Sequence, residues 1–221
     1  PAAVNVQRAD VTWEEASLHV DGRVGLSADR RLALTLATND VGVPWLLKAA
    51  GKPDVPASGN VSAMGTVSGT TDRPAAMIAV QGSNLAAYGE DFGTLTADVN
   101  LTGREVQVSK LVLEKPQPDK PGLITATGSY HLDRKTYTAD LQSEDVRLLG
   151  LQLPSGDRIR GDLMLTARGM GSVESPGVSA DLTLDSLEID RATTDGSETI
   201  PVGRVVVNAV AENREATIKA S

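Results

Sequence analysis

Residues Gly59–Leu85 read GNVSAMGTVSGTTDRPAAMIAVQGSNL, and residues Gly161–Leu187 read GDLMLTARGMGSVESPGVSADLTLDSL. The second stretch begins 102 positions after the first and aligns with it without a gap. Four of 27 aligned positions are identical: Gly59 with Gly161, Gly69 with Gly171, Pro74 with Pro176 and Leu85 with Leu187. The shared punctuation says more than the identity. An alternating segment is followed by Gly, four polar or small residues, Pro, and a longer alternating segment. Asp72 and Glu174 each stand two positions before the proline. Self-similarity at a fixed long period marks a repeat architecture.

The repeat extends outward on both sides. Gly93–Lys110 aligns with Gly203–Ala220 at an offset of 110, and the extra residues fall in the polar stretch Thr193–Thr199. Upstream, Gly25-Leu-Ser-Ala-Asp-Arg-Arg matches Gly128-Ser-Tyr-His-Leu-Asp-Arg-Lys. Asn39-Asp40-Val41 and Glu144-Asp145-Val146 follow, and each leads into an apolar stretch, Val43–Leu47 or Leu148–Leu153. The chain 1–221 therefore reads as one elongated β-repeat segment. Its periods are 20–115 and 122–221, joined by a Pro-rich stretch, 114–121, expected to be a solvent loop or linker. The sequence starts in mid-pattern with no initiator Met, so it reads as a piece of a larger protein.

The dominant period is two. Leu32, Leu34 and Leu36 alternate with small or polar residues, as do Leu95, Ala97, Val99 and Leu101. Leu163, Leu165 and Ala167 do the same, and so do Val178, Ala180, Leu182 and Leu184. Alternate residues of a strand face opposite ways, so these segments have one apolar and one polar face. The fold class expected is all-β, with about 15 strands separated by short turns. Asp21-Gly22, Thr102-Gly103, Asp133-Arg134 and Asp195-Gly196 are turn signals. One short helix is expected near residues 44–50, with Pro44 in its first turn, Gly51 as its stop and Pro53 beyond.

Composition narrows the chemistry. The chain has 21 basic and 29 acidic residues, a net charge of −8. It has no basic run, which disfavours nucleic acid as a partner. It has no cysteine, so thiol, disulfide and zinc–thiolate chemistry are absent. No apolar run is long enough for a membrane-spanning helix. Trp13, Trp45, Tyr88, Phe92, Tyr130 and Tyr137 are the only aromatic residues. Aromatic side chains usually dominate a thick core. Their scarcity suits a thin sheet or an open groove lined by Val, Leu and Ala.

No catalytic constellation assembles. The two histidines, His19 and His131, lie far apart in alternating segments, and no triad is visible around either. Gly169-Met170-Gly171 lacks the helix and final Gly of a dinucleotide site. Arg160-Gly161-Asp162 spells an integrin tripeptide, but its Gly is the repeat Gly. No metal site and no cofactor are expected, and the chain is read as a non-enzyme.

The stretch Gly59…Val67-Ser-Gly-Thr-Thr-Asp-Arg-Pro74…Leu85 resembles the recurrent strand–turn–strand unit of TamB-like proteins, within the wider AsmA-like group of envelope proteins. Gly128-Ser-Tyr-His-Leu-Asp, Tyr137–Leu141 and Gly161–Gly169 extend the likeness. In the second copy, Gly171-Ser-Val-Glu-Ser-Pro176 departs from the Thr-Thr-Asp-Arg pattern. The resemblance implies an elongated, curled sheet forming a U-shaped β-taco or solenoid-like groove. It implies a place in the periplasm of a Gram-negative-type bacterium, anchored to the inner membrane through a part not included in this sequence. It also implies a role in phospholipid transport and outer-membrane biogenesis, with phospholipid or other apolar chains as cargo. An outer-membrane barrel protein is the implied partner through other parts of the full chain.

Physical reasoning runs alongside. A sheet with one apolar face must hide that face. It either folds on itself or curls and leaves a slot, which about 15 strands would make roughly 70 Å long. The expected lining is Leu32, Leu34, Leu36, Leu95, Val99, Leu163, Leu165, Leu182, Leu184, Val205 and Val207. Two other readings stand beside the lipid groove. One is a module that binds strands of outer-membrane proteins by strand addition. The other is a structural β-solenoid stalk.

Overall fold

The computed structural model describes residues 3–13, 16–26, 30–172, 174–193, 196–212 and 215–221. In chain order the elements are β1 (Ala3–Trp13), β2 (Ala16–Gly25), β3 (Leu32–Gly42), α1 (Val43–Ala49), β4 (Ala57–Gly69), β5 (Pro74–Ala87), β6 (Glu90–Thr102) and β7 (Glu105–Lys115). They continue with β8 (Gly122–His131), β9 (Thr136–Glu144), β10 (Val146–Gln152), β11 (Arg158–Ser172), β12 (Pro176–Thr193), β13 (Gly196–Glu212) and β14 (Glu215–Ala220). All strands belong to one 14-stranded sheet that runs in sequence order, except that β10 leaves the path and pairs only with β11. Every pairing is antiparallel, and β1 and β14 end the path unjoined, so the sheet is open.

The copies of the repeat are copies of structure. β4–β5 and β11–β12 are matching hairpins, with Gly69 opposite Pro74 and Gly171 opposite Pro176. Backbone conformation repeats residue by residue. Asp40 and Asp145 have φ of 50° and 51°, and Asn84 and Ser186 have 51° and 52°. Gly59 and Gly161 have 119° and 150°, and Gly93 and Gly203 have 69° and 90°. Left-handed backbone is uncommon for any residue with a Cβ. Its recurrence at matched positions therefore reflects a shared constraint.

That constraint is a crease. The left-handed residues accompany breaks in pairing register at Thr38/Val41, Ser58/Asn60, Gly82/Leu85, Arg160/Asp162 and Leu184/Leu187. A bulge bends its strand and increases local twist. Aligned from strand to strand, the bulges fold the sheet along a line. On the far side, Leu148 of β10 meets Leu184 and Leu187 of β12, although β11 lies between those strands. Leu151, Ile159, Leu163 and Val205 pack around this cluster. It is the closed end of a curled sheet.

The copies differ after the crease. Val43–Leu47 forms α1, whereas its counterpart forms β10. Pro44 sits in the first turn of α1. Gly51, with φ of 72°, terminates it: Gly51 N–H donates to Lys48 O and Lys52 N–H to Leu47 O. This is the paired-bond ending of a Schellman motif.

Two local expectations fail. Asp21-Gly22 is no turn: Gly22 lies inside β2 opposite Leu34. It must be glycine there, because a Cβ would fall 2.1 Å from Ala33 O. The stretch 114–121 is no simple solvent loop: Glu114 and Lys115 complete β7, and Lys115 is fully buried. Thr102-Gly103 and Asp133-Arg134 do lie at turns, while Asp195 falls outside the described residues.

The crease predicts which glycines matter. A Cβ at Gly59 would lie 2.8 Å from Asn84 O, and one at Gly161 2.9 Å from Asp185 O; at Gly103, with φ of 61°, nothing lies within 4 Å. Gly59→Ala and Gly161→Ala should each lower unfolding free energy by about 2–3 kcal/mol, and Gly103→Ala by about 1 kcal/mol. Urea denaturation followed by circular dichroism measures this. Equal losses at all three sites would remove the crease as the reason for the repeat.

Candidate functional site

The pairing register carries apolar residues across the whole sheet. Starting at Val11, the partners run Leu18, Thr38, Ala63, Val80, Ala97 and Leu111. The same row continues through Ala126, Leu141, Ala167, Ala180, Ala209 and Ile218. Cross-strand partners share a face, so these side chains line one side of the sheet. Thr38 is the single polar member, and its Oγ1 accepts a bond from Ala63 N–H at 3.1 Å.

A parallel row has no polar member. It passes from Ala9 through Val20, Leu36, Gly65, Ile78, Val99 and Val108. It goes on through Gly128, Ala139, Gly169, Val178, Ala211 and Ala216. Neither row contains a charge. On the opposite face, one row reads Asp21, Thr35, Thr66, Met77, Asn100, Gln107, Ser129, Thr138 and Met170. All four methionines lie on this wet face, 63–67% exposed.

The eleven residues expected to line a groove all lie on the apolar face. Leu32 stands opposite Val24, and Leu34 and Leu36 continue the alternation along β3. Leu95 stands between Gly82 and Leu113, and Val99 between Ile78 and Val108. Leu163, Leu165, Leu182, Leu184, Val205 and Val207 converge on β11–β13, joined by Leu163–Leu184, Leu165–Leu182, Leu184–Val205 and Leu182–Val207. Leu184 is buried in the closed end, and Leu163 and Val205 pack half-buried against it. The other eight are half-buried on the curled face.

Small residues were missing from that expected set. Ala63, Ala126, Ala139, Ala167, Ala180 and Ala209 lie in the same rows. Ala167 and Ala180 already stand in the alternating segments of the sequence, and Ala126 and Ala139 alternate with polar neighbours in the same way. With Gly65, Gly128 and Gly169 they leave room above the sheet that Leu or Phe would fill. The Tyr137 ring occupies part of it over Gly169, where a Cβ would lie 3.0 Å from Cε2.

One polar cluster interrupts this face, and it was invisible in the sequence. β10 leaves the line of β9, so the edge turned away from β11 has no strand beside it. Side chains take the place of that strand. The Gln117 side-chain amide donates to Asp145 O at 2.7 Å and accepts from Arg147 N–H. Glu90 accepts from Leu149 N–H through Oε1 and from Gly150 N–H through Oε2, each at 2.9 Å. Gln152 N–H donates to Tyr88 O at 2.7 Å. Lys115 Nζ lies 2.8 Å from Glu90 Oε1, with no bond of regular hydrogen-bonding angle. Glu90 and Lys115 are 2% and 0% exposed. The pair ties β6 and β7 of the first copy to β10 of the second.

A cavity of about 500 Å³ opens beside this junction, lined by Gln117, Asp119, Lys120, Asp145, Arg147, Asp162 and others. Its cations are paired: Lys120 with Asp145 at 2.5 Å, and Arg147 with Asp162 at 2.9 Å. The hydrogen bond to Asp145, followed by charge attraction, raises the Lys120 ammonium above the ordinary lysine range. No cluster of three metal-binding side chains exists among the described residues. His19 is bonded to Asp10 on the wet face, and His131 Nδ1 accepts from Arg134 N–H in a turn. Arg160-Gly161-Asp162 is no exposed loop. It lies inside β11, with Arg160 on Asp190 and Asp162 on Arg147.

No protein-family model, curated protein or solved structure matches this chain.

Removing one partner of a buried ion pair leaves a charge unmatched and costs about 3–5 kcal/mol. Glu90→Gln and Lys115→Met should each show a loss of this size in urea titration. The double substitution should cost clearly less than the sum of the two. Strict additivity would mean that the two groups do not act as a pair.

Proposed function

We propose that this chain is a section of a periplasmic bridge whose apolar groove shields phospholipid acyl chains between the inner and outer membranes. The observation that carries the reading is the pair of uncharged rows crossing all the path strands in register. An acyl chain is flexible and apolar. It needs continuous apolar cover and no directional bond. A small-molecule enzyme site instead needs polar groups converging in a pocket. At the β10 junction the cations Lys115, Lys120 and Arg147 are matched to Glu90, Asp145 and Asp162.

The dimensions fit such a role. The path of 13 strands, at about 4.8 Å each, gives a slot of roughly 60 Å perpendicular to the strands. Repeat arrays lengthen by adding units that contact only their neighbours. The likeness of Gly59–Leu85 to the TamB-like unit supports the same assignment. An outer-membrane barrel would then be met by other parts of the full protein.

A second reading rests on the open edges. β13 pairs with β12 along one edge, but β14 covers its outer edge only at Val207–Glu212, which leaves the outer edge of its first half without a strand. An extended segment of an outer-membrane protein would pair there by strand addition.

A photoreactive residue at Ala167, in the apolar row that starts at Val11, separates the two. Phospholipid adducts identified by mass spectrometry are the expected product in the native chain. Leu165→Arg, on a neighbouring position of the same face, should reduce them at least about tenfold, because an unpaired charge in an apolar site is strongly disfavoured. Polypeptide adducts in place of lipid would favour strand addition. Unchanged lipid capture in a folded Leu165→Arg protein would remove this part of the face from the conduit.

A further inference from the structure

Four of the hairpin turns at one end of the sheet share a charge pattern that the turn preceding β12, which carries Glu174, lacks. Those preceding β3, β5, β7 and β9 read LSADRR (26–31), TTDR (70–73), GR (103–104) and LDRK (132–135). Each ends on a cation immediately before the next strand: Arg31, Arg73, Arg104 and Lys135. The four turns hold six cations against three acids, in a chain whose net charge is −8. The loops at the other end, 50–56, 88–89, 116–121 and 153–157, hold Lys52 and Lys120 against Asp54, Asp119 and Asp157.

The basic turns form one continuous rim. Thr71 N–H donates to Arg30 O, Gly103 N–H to Pro74 O, and Leu132 N–H to Arg104 O, at 3.2, 2.7 and 2.8 Å. Successive cations before β3, β5, β7 and β9 are two strands apart, about 10 Å along the rim. Arg30, Arg31, Arg73, Arg104, Arg134 and Lys135 are all exposed. The Arg104–Asp133 contact, at 3.7 Å and more than 60% exposed on both sides, is a weak, water-screened pair.

We propose that this rim is where the anionic head group of an amphiphile sits while its chain lies in the groove. The proposal rests on the groove reading above. The uncharged rows offer a head group nothing, so it must stay at an edge. Of the two edges, only this one presents a row of cations, and guanidinium groups suit phosphate oxygens. The cargo is thereby narrowed to anionic, phosphate-bearing amphiphiles over neutral ones.

The test uses two probes with the same diazirine-bearing alkyl chain, one an alkyl phosphate and one the corresponding alcohol. The native chain should capture the phosphate in at least about fivefold preference at low salt, and salt should erode that preference. Arg73→Glu/Arg104→Glu/Arg134→Glu should abolish the preference while leaving alcohol capture unchanged. Lys52→Glu/Lys110→Glu/Lys219→Glu changes net charge equally away from the rim and should keep the preference. Loss of preference in both variants, or in neither, overturns the rim assignment while the groove stands. Capture of neither probe by the folded native chain overturns the groove and the rim together.

Discussion

Where β10 turns away from β9, a line of amide N–H groups faces inward with no strand beside it. Buried amides left without acceptors are costly. The chain supplies the acceptors from Glu90, Gln117 and the carbonyl of Tyr88. Glu90 is charged, and burying it requires a counter-charge, which Lys115 provides. Through that sequence of requirements the sheet loses strands on one side of its crease while keeping them on the other. A sheet wider on one side of a line than on the other has to curve. The curl of the sheet thus depends on a carboxylate that is itself buried.

The crease itself is a compromise between two demands on the same strands. Each must alternate polar and apolar residues to keep one face dry, and each must bend. A bulge bends a strand, but an odd insertion also reverses which residues face inward. β12 shows how this is managed: Leu184 and Leu187, an odd number of positions apart, both end in the closed apolar cluster. Ser186, left-handed, lies between them. Asn84 and Ser186 share no chemistry beyond a short polar side chain, although Asp40 and Asp145 are identical. The repeat keeps backbone shape more strictly than residue identity.

This explains what was legible in the sequence. The all-β class, the helix ended by Gly51 and the apolar face containing Leu34, Leu165 and Leu182 follow from local period and local punctuation. The repeat by itself makes Gly59 the equivalent of Gly161. The junction at Glu90 and Lys115 stayed hidden, because its partners lie 25 or more positions apart and each looks like an ordinary surface residue. Lys115 even precedes a run of prolines and polar residues. Gly22 was misleading for a related reason. Asp-Gly is a turn signal only when the backbone of a neighbouring strand does not claim the space, as Ala33 does here. The matching apolar stretch became α1 in one copy and β10 in the other: Pro44 has no N–H to donate, whereas its counterpart Leu149 donates to Glu90.

The placement of sulfur has a chemical consequence. The chain has no cysteine, and its methionines, Met64, Met77, Met164 and Met170, all stand on the wet face. Methionine sulfoxide is harmful chiefly where it puts a polar oxygen into a packed core. Here an oxidant would find every thioether already in water, beside Thr, Asn and Gly, and the dry face would keep its hydrocarbon character. The architecture confines its redox-sensitive atoms to the side where their oxidation changes least.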